Sequence, residues 1–414
     1  MCAQRVIWED LFGVGIGTTN ISTAANTSFG VPLNNHPSFN PGTQTVNTRK
    51  AVGTAYRQTS SGCLEYQQGS AVPTTSWEFD VSSKNLSPFF WSLFQSGAFQ
   101  GAASTYIKYF VPYDKPDTDV WLTLVRKLAP AGTAASHRIV GAIVNSITLS
   151  AEEGQNLKAT VEFQGYSFES NRDVGTADAF TFQTASCLQW QNAVVTLDGT
   201  TINIPGFSLT ISNNAVTKFY DNATAVRHDA GEFTATGSIS VPWGQATEGG
   251  NAQIDAFAAG TSSRLVIYWG DSELANANGE FTIIANIRPT GVNVTGDDEI
   301  ITEVSFECAS DKFTSSVIDA SSSIAVSTTT VTGTNTKFST AFSDGVGFHA
   351  GDLLYPIGFT QAGDNTVRVI TAVTNNTTLS VFPAFAGTDS GKLYKVKSTP
   401  LTISVCDTTN LSGM

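Results

Sequence analysis

Two carboxylate runs are the first residues in this 414-residue chain that could do chemistry: Glu152-Glu153, followed by Gly154, and Asp297-Asp298-Glu299. Grouped carboxylates can hold Ca²⁺ through hard oxygen ligands, or divide general acid and base roles around a glycosidic bond. Both runs fall where hairpin turns are expected, and acidic residues beside glycine serve solubility there, which is the reading adopted. The four histidines, His36, His137, His228 and His349, lie about a hundred residues apart on different elements. None stands in the H-x-x-x-H or Cys/His spacing of a zinc site. The glycine-rich GVGIG (13–17) lacks the βαβ unit and lysine of a phosphate cradle, and neither a P-loop nor G-x-S-x-G occurs. The cysteines Cys2, Cys63, Cys187, Cys308 and Cys406 are odd in number, widely spaced and without C-x-x-C. They read as small buried hydrophobes or reduced surface thiols. No catalytic residue, metal site or cofactor is expected.

The elements around these residues are those of an all-β protein. Only 14% of residues are charged, Met is nearly absent, and Ser, Thr, Asn and Gly abound. Of the net charge of −13, residues 1–319 carry all (30 acids against 17 bases), while 320–414 hold five of each. No basic patch suggests a grip on nucleic acid, and an acidic surface repels polyanions. No apolar run reaches membrane-spanning length. Glu9 and Asp10 interrupt what would be the core of a signal peptide, so folding in a reducing cytoplasm is expected.

One segment departs from the β pattern. NLSPFFWSLFQSG (85–97) predicts a helix with Ser87 as N-cap, Pro88 in its first turn and Gly97 at its end. Leu86, Phe90, Leu93 and Phe94 form one face, leaving Phe89 and Trp91 as surplus apolar surface. Before it, SWEFDV (76–81) alternates as a half-buried strand. After it come VWLTLVRK (120–127) and a hairpin over 138–168 turning at Glu152-Glu153-Gly154. The order recurs downstream: GSISVPW (237–243), a helix NAQIDAFAAG (251–260) with Ile254, Phe257 and Ala258 inward, RLVIYWG (264–270), then strands over 281–310. Val161 and Phe163 align with Val304 and Phe306. Two β-sandwich or barrel units with one short helix each are therefore expected, at 46–175 and 185–310, after an N-terminal arm (1–45). A linker (311–324), a small separate β domain (325–400) and a tail (401–414) complete the chain.

The tandem unit TLDGTTINIPGFSLTISNNA…GEFTATGSISVPWG…IDAFAAGTSSRLVIYWGD…IITEVSFECAS resembles the major tail tube proteins of long-tailed, siphovirus-like bacteriophages, in particular versions with two fused tube domains. VTGTNTKFST…AGDLLYPIG…ITAVTNNTTLSV is similar to the small β modules that decorate phage tails and capsids. The long N-terminal lead and an insertion near 98–119 depart from the family's compactness. The resemblance implies homo-oligomeric rings with sheets joined edge to edge around a channel, three chains making a pseudohexameric ring. It further implies stacking into a tube, other tail proteins at the tube ends, and a lumen holding the tape-measure protein and double-stranded DNA without sequence-specific binding. The location implied is the virion tail, after assembly in the host cytoplasm, without membrane contact.

A channel wall for DNA must not bind its cargo, and inward lysines or arginines would add counterion-release affinity. Glu78, Asp80, Glu162, Glu303 and Glu307 are the candidates for the channel-facing acidic surface. Phe89 and Trp91 are candidate contacts with a neighbouring domain or ring. Phe219 and Tyr220, in the long excursion 213–233, are candidates for stacking contacts, and the excursion 57–74 is its counterpart. The alternatives are a surface carbohydrate-binding or adhesin-like β protein and a β-sandwich glycosidase. The first needs paired cysteines and an aromatic platform; the second needs two carboxylates on facing strands of a cleft.

Overall fold

The computed structural model describes residues 10–17, 22, 29–41, 47–48, 66–67, 72–95, 99–100, 106–112, 120–128, 136–170, 181–182, 186–218, 227–229, 231–243, 250–270, 280–296, 300–309, 313–314, 322–339 and 347–407. The fold is all-β apart from two α-helices and short 3₁₀ turns. The body strands in the first half are β1 (Asp10–Gly17), β2 (Thr74–Asp80), β3 (Tyr106–Phe110), β4 (Trp121–Leu128), β5 (Ser136–Glu152) and β6 (Lys158–Gln164). The second half supplies β7 (Gly206–Ser212), β8 (Thr234–Pro242), β9 (Ser263–Trp269), β10 (Phe281–Thr295) and β11 (Ile301–Cys308). Helix α1 (Ser87–Phe94) follows β2, and α2 (Gly250–Ala259) follows β8.

The same pairing scheme appears twice. β2 pairs with β6, β6 with β5, and β5 with β4; likewise β8 pairs with β11, β11 with β10, and β10 with β9. Registers agree as well, with Val161 opposite Trp77 and Val304 opposite Ile239. Each long strand carries a pairing irregularity at the matching place, skipping Asn145 in β5 and Thr290 in β10. A bulge bends its strand, so one half of each strand lies in one layer and the rest in the other.

The two halves are not separate bodies. β5 pairs along Ser146–Glu152 with β7, which pairs with β8, giving one sheet in the order β2-β6-β5-β7-β8-β11-β10. At its first edge, residues 34–40 take a strand's place beside β2. Asn40 and Thr74 exchange backbone hydrogen bonds, and the Asn35 side chain accepts from Glu78 N. One core of alternating residues from both halves fills the body.

Helix α1 is nearly swallowed by that core. Phe89 is 0% exposed, with ring centroids 5.5, 5.7 and 6.3 Å from Phe79, Phe163 and Trp77. Phe90 lies against Phe110 and Phe281, and Phe94 against Phe233. Phe89, expected as surplus, thus packs on the first half's own strands β2 and β6, while Phe90 and Phe94, expected to face that sheet, are covered by β3 and the second half. Leu86, not Ser87, is the capping residue, and Gln95 at φ 52° closes the helix; Gly97 lies outside the described residues. Helix α2 reverses the expectation. Phe257 and Ala258 are exposed and Ile254 half-buried, while Gly250 and Gln253 are the buried residues.

Both expected appendages enter the body. In place of an N-terminal arm, β1 pairs along its full length with β4. In place of a tail, Leu401–Asp407 form a strand between β10 and β3, with Leu401, Ile403 and Val405 in the core. Between them lies a closed six-stranded barrel: β12 (Ser323–Ser327), β13 (Thr330–Thr334), β14 (Leu353–Ile357), β15 (Arg368–Asn375), β16 (Thr378–Phe382) and β17 (Thr388–Lys397). The C-terminal body strand Leu401–Asp407 is accordingly β18. The barrel has its own core, and inside the expected linker Phe313–Thr314 pairs with Val396–Lys397. The barrel also has an apolar face to spare: Leu353, Val367 and Val369 pack with Tyr109, Val266 and Ile284 of the body. It is docked rather than loosely tethered.

Candidate functional site: one polar sheet face

Strict alternation gives the continuous sheet two unlike faces. Residues such as Trp77, Val161, Ile147, Leu209, Ile239 and Val304 turn into the core. The opposite face carries Ser76, Glu78 and Asp80 on β2, Thr160 and Glu162 on β6, and Ser146, Thr148 and Ser150 on β5. It continues through Ser208, Thr210, Thr236 and Ser238 to Glu303, Ser305 and Glu307 on β11. All five acidic candidates are therefore on one face, half-buried (Glu78, Asp80) or exposed (Glu162, Glu303, Glu307).

Local bonds hold this surface. Ser146 donates to Glu162 at 2.9 Å, and the Thr148 and Thr210 hydroxyls meet at 3.0 Å across the β5–β7 seam. Asp80 accepts from Asn34 at 2.7 Å and from Asn156 at 2.9 Å. Glu152 also belongs to the face, and its cations are Lys158, opposite Asp80, and Arg288, opposite Glu307. Six carboxylates against two cations leave a net −4 per chain on this face. Glu162 and Glu303 stand four strand spacings apart, roughly 19 Å, beyond the ~5–9.5 Å of a glycosidase pair. Among the described residues no group of three potential metal ligands occurs.

The remaining candidates scatter. Phe89 is enclosed by its own chain and has no surface to offer a neighbour, correcting the expected contact role. Trp91 is half-buried on the core's margin. Phe219 and Tyr220 lie outside the described residues, in the stretch of sequence between Val216–Lys218 and Arg227–Asp229, which pair with each other. The acidic run 297–299 lies outside them too. Of the cysteines, Cys308 and Cys406 are outside any disulfide, and burial pushes the Cys308 thiol up to about 12. Cys187 is disulfide-bonded, correcting the reading of all five as unpaired, and its partner lies outside the described residues. Spacing alone carried no signal for that bond.

Sequence reasoning named the acids of this face and none of the hydroxyl residues between them. Their signal was the run of alternating Ser and Thr in SITLSAE and GFSLTIS (146–152 and 206–212), which pair directly along the seam. Such a face offers neutral donors and acceptors with fixed carboxylates among them, a surface that stays hydrated and repels polyanions.

No curated protein matches the chain. The family model described as phage tail tube protein matches residues 4–308, the span that builds most of the body and this face. The chain belongs to the phage tail tube protein family, and it is a structural protein of the virion tail.

Proposed function

We propose that this chain is the tail tube subunit of a long-tailed, siphovirus-like phage, with two fused tube units (46–175 and 185–310) and the C-terminal barrel as an outer decoration. Three copies form a pseudohexameric ring, rings stack into the tube, and the acidic, hydroxyl-rich face lines the lumen through which the genome is ejected. The observation that carries this reading is the sheet that already runs unbroken from one half to the other with a single polar face. Counting the 34–40 segment, each half contributes four strands. Three chains then give about 24 strands, and ~4.8 Å spacing at ~40° tilt corresponds to a backbone diameter of roughly 48 Å, wider than a DNA duplex. With a net −4 per chain on the face, the wall repels both DNA and any counterion-release binding. The tape-measure protein occupies the same bore before DNA does, and assembly takes place in the host cytoplasm.

Electron microscopy of the purified chain tests the reading: hollow stacked-ring tubes are expected, and a dispersed monomer at every concentration refutes it. In phage particles, the Glu162→Lys/Glu303→Lys variant brings the face from −4 to zero. It should slow DNA ejection from tails of normal length. Normal ejection kinetics would remove these residues from the lumen.

A further inference from the structure

The repeat inside the chain contains a finished junction and an unfinished copy of it. At the junction, β7 covers the C-terminal part of β5, with Leu149 opposite Leu209 and Ser150 opposite Ser208. The matching part of β10 pairs with β11 on one side, and among the described residues no strand pairs with Gly291–Thr295 on the other. Equivalent positions differ accordingly. Leu149 is 0% exposed but its counterpart Val294 is 45% exposed, and Leu157 is 0% exposed against 49% for Ile300. Helix α1 is covered by Phe281 and Phe233 of the second half, whereas on α2 Phe257 is 43% exposed. Three large apolar side chains thus surface around one sheet edge, each at a place that the first half keeps dry.

The chain also holds the piece that fits. β7 lies beside β8 with Leu209 opposite Gly237. The segment 34–40 lies beside β2 in the same sense, anchored by Asn40 against Thr74. Because Asn40 stands opposite Thr74 as Thr210 stands opposite Thr236, the registers put Phe39 in the place of Leu209 and Ser38 in the place of Ser208. Phe39 is buried against Trp77 and Phe12, as a strand residue facing the core should be. Pro37 and Pro41 lack N–H donors, a device that keeps sheet edges from indiscriminate pairing. The contact must therefore be sealed largely by apolar burial.

We propose that the β10 edge from Gly291 to Thr295, with Ile300 and the outer face of α2, is the docking site for the first half of a second copy of this chain. The incoming 34–40 segment repeats the β5–β7 register, so that Val294 meets Phe39 and Thr295 meets Ser38 of the next copy. The contact is head-to-tail, and a rotation that repeats the internal junction closes a ring. This inference rests on the tube reading and names the surface that makes the ring.

Directly opposite strand residues have Cα atoms close enough for a disulfide. The Ser38→Cys/Thr295→Cys variant, assembled and oxidised with copper–phenanthroline, should run on a non-reducing denaturing gel as a covalent ladder ending at three chains. Ser150→Cys/Ser208→Cys, at the internal junction, is the positive control and should close within the monomer. Each single variant of the first pair should stay monomeric. Phe257→Asp should keep the monomer's melting temperature and raise the concentration needed for assembly at least tenfold. Tubes that form without the Ser38–Thr295 cross-link, a ladder running past one ring, or unimpaired assembly of Phe257→Asp would each overturn the docking site while leaving the tube reading intact. Failure of the wild-type chain to form tubes would overturn the tube reading itself.

Discussion

Acid should loosen the seam between the two halves through one histidine. His228 sits on the small hairpin of the second half, 5% exposed, with its ring 5.8 Å from Trp121 of β4 and Nδ1 2.8 Å from the Thr217 hydroxyl. Burial pushes its imidazole down from 6.5 to about 4, against smaller opposing effects of the Gly141 backbone and Asp229. The unfolded chain therefore takes up this proton below about 6.5, the folded chain only below about 4. Stability from this group is complete above 6.5, falls as pH drops through that window, and levels off below 4. At ~1.4 kcal/mol per pH unit the full loss is about 3 kcal/mol, a large share of a typical domain's margin. Urea denaturation of the unassembled chain at half-unit steps from pH 4 to 7.5, beside His228→Gln, isolates the effect from the carboxylates. Wild type should lose about 3 kcal/mol more than the variant over that range. Parallel profiles would refute the assignment of a buried, neutral imidazole.

Equivalent positions of the repeat give a second test. Leu149→Ala empties a closed site and should cost ~2–5 kcal/mol. Val294→Ala should change the isolated chain by less than ~0.5 kcal/mol yet weaken tube formation. Denaturant titration and sedimentation read the two effects, and equal destabilisation would contradict the difference in burial. In the barrel, Arg368 and Asp364 form an ion pair at 3.0 Å with both side chains 2% exposed, and Asp364 also accepts from the Ala386 and Gly387 amides. Asp364→Ala strands a buried guanidinium and should destabilise the barrel by ~3–5 kcal/mol, seen as a lowered melting transition. An unmoved transition would show the pair to be dispensable.

Local pattern was legible where one face of an element is wet. Trp77, Phe79, Val161 and Phe163 were placed by alternation, and the acids between them fell on the opposite face as a consequence. The errors share a cause: partners distant in sequence decide burial. Phe89 counted as surplus because the sheet-facing side of the helix was assigned to Phe90 and Phe94. Instead, Phe89 is the ring that meets Trp77, Phe79 and Phe163 of the first half's own sheet, and Phe90 and Phe94 are covered by Phe110, Phe281 and Phe233. Leu401–Asp407 was taken as a tail because it follows the barrel. Thr402 and Ser404, both fully buried, hide the fact that each side of that strand is covered. Helix α2 was assigned an inward apolar face from its period alone, yet Phe257 stays 43% exposed.

The barrel's two connections carry a consequence of their own. The chain crosses into it at Phe313–Thr314 and leaves at Val396–Lys397, and these stretches are hydrogen-bonded neighbours, ~5 Å apart. The whole module is a cassette spliced into a single point of the body's surface, so exchanging it for any domain with adjacent termini leaves the body's threading untouched. A replacement needs a greasy footprint to shield Tyr109, Val266 and Ile284, and backbone carbonyls where Gly351 and Ala350 now accept from Thr402 and Arg264.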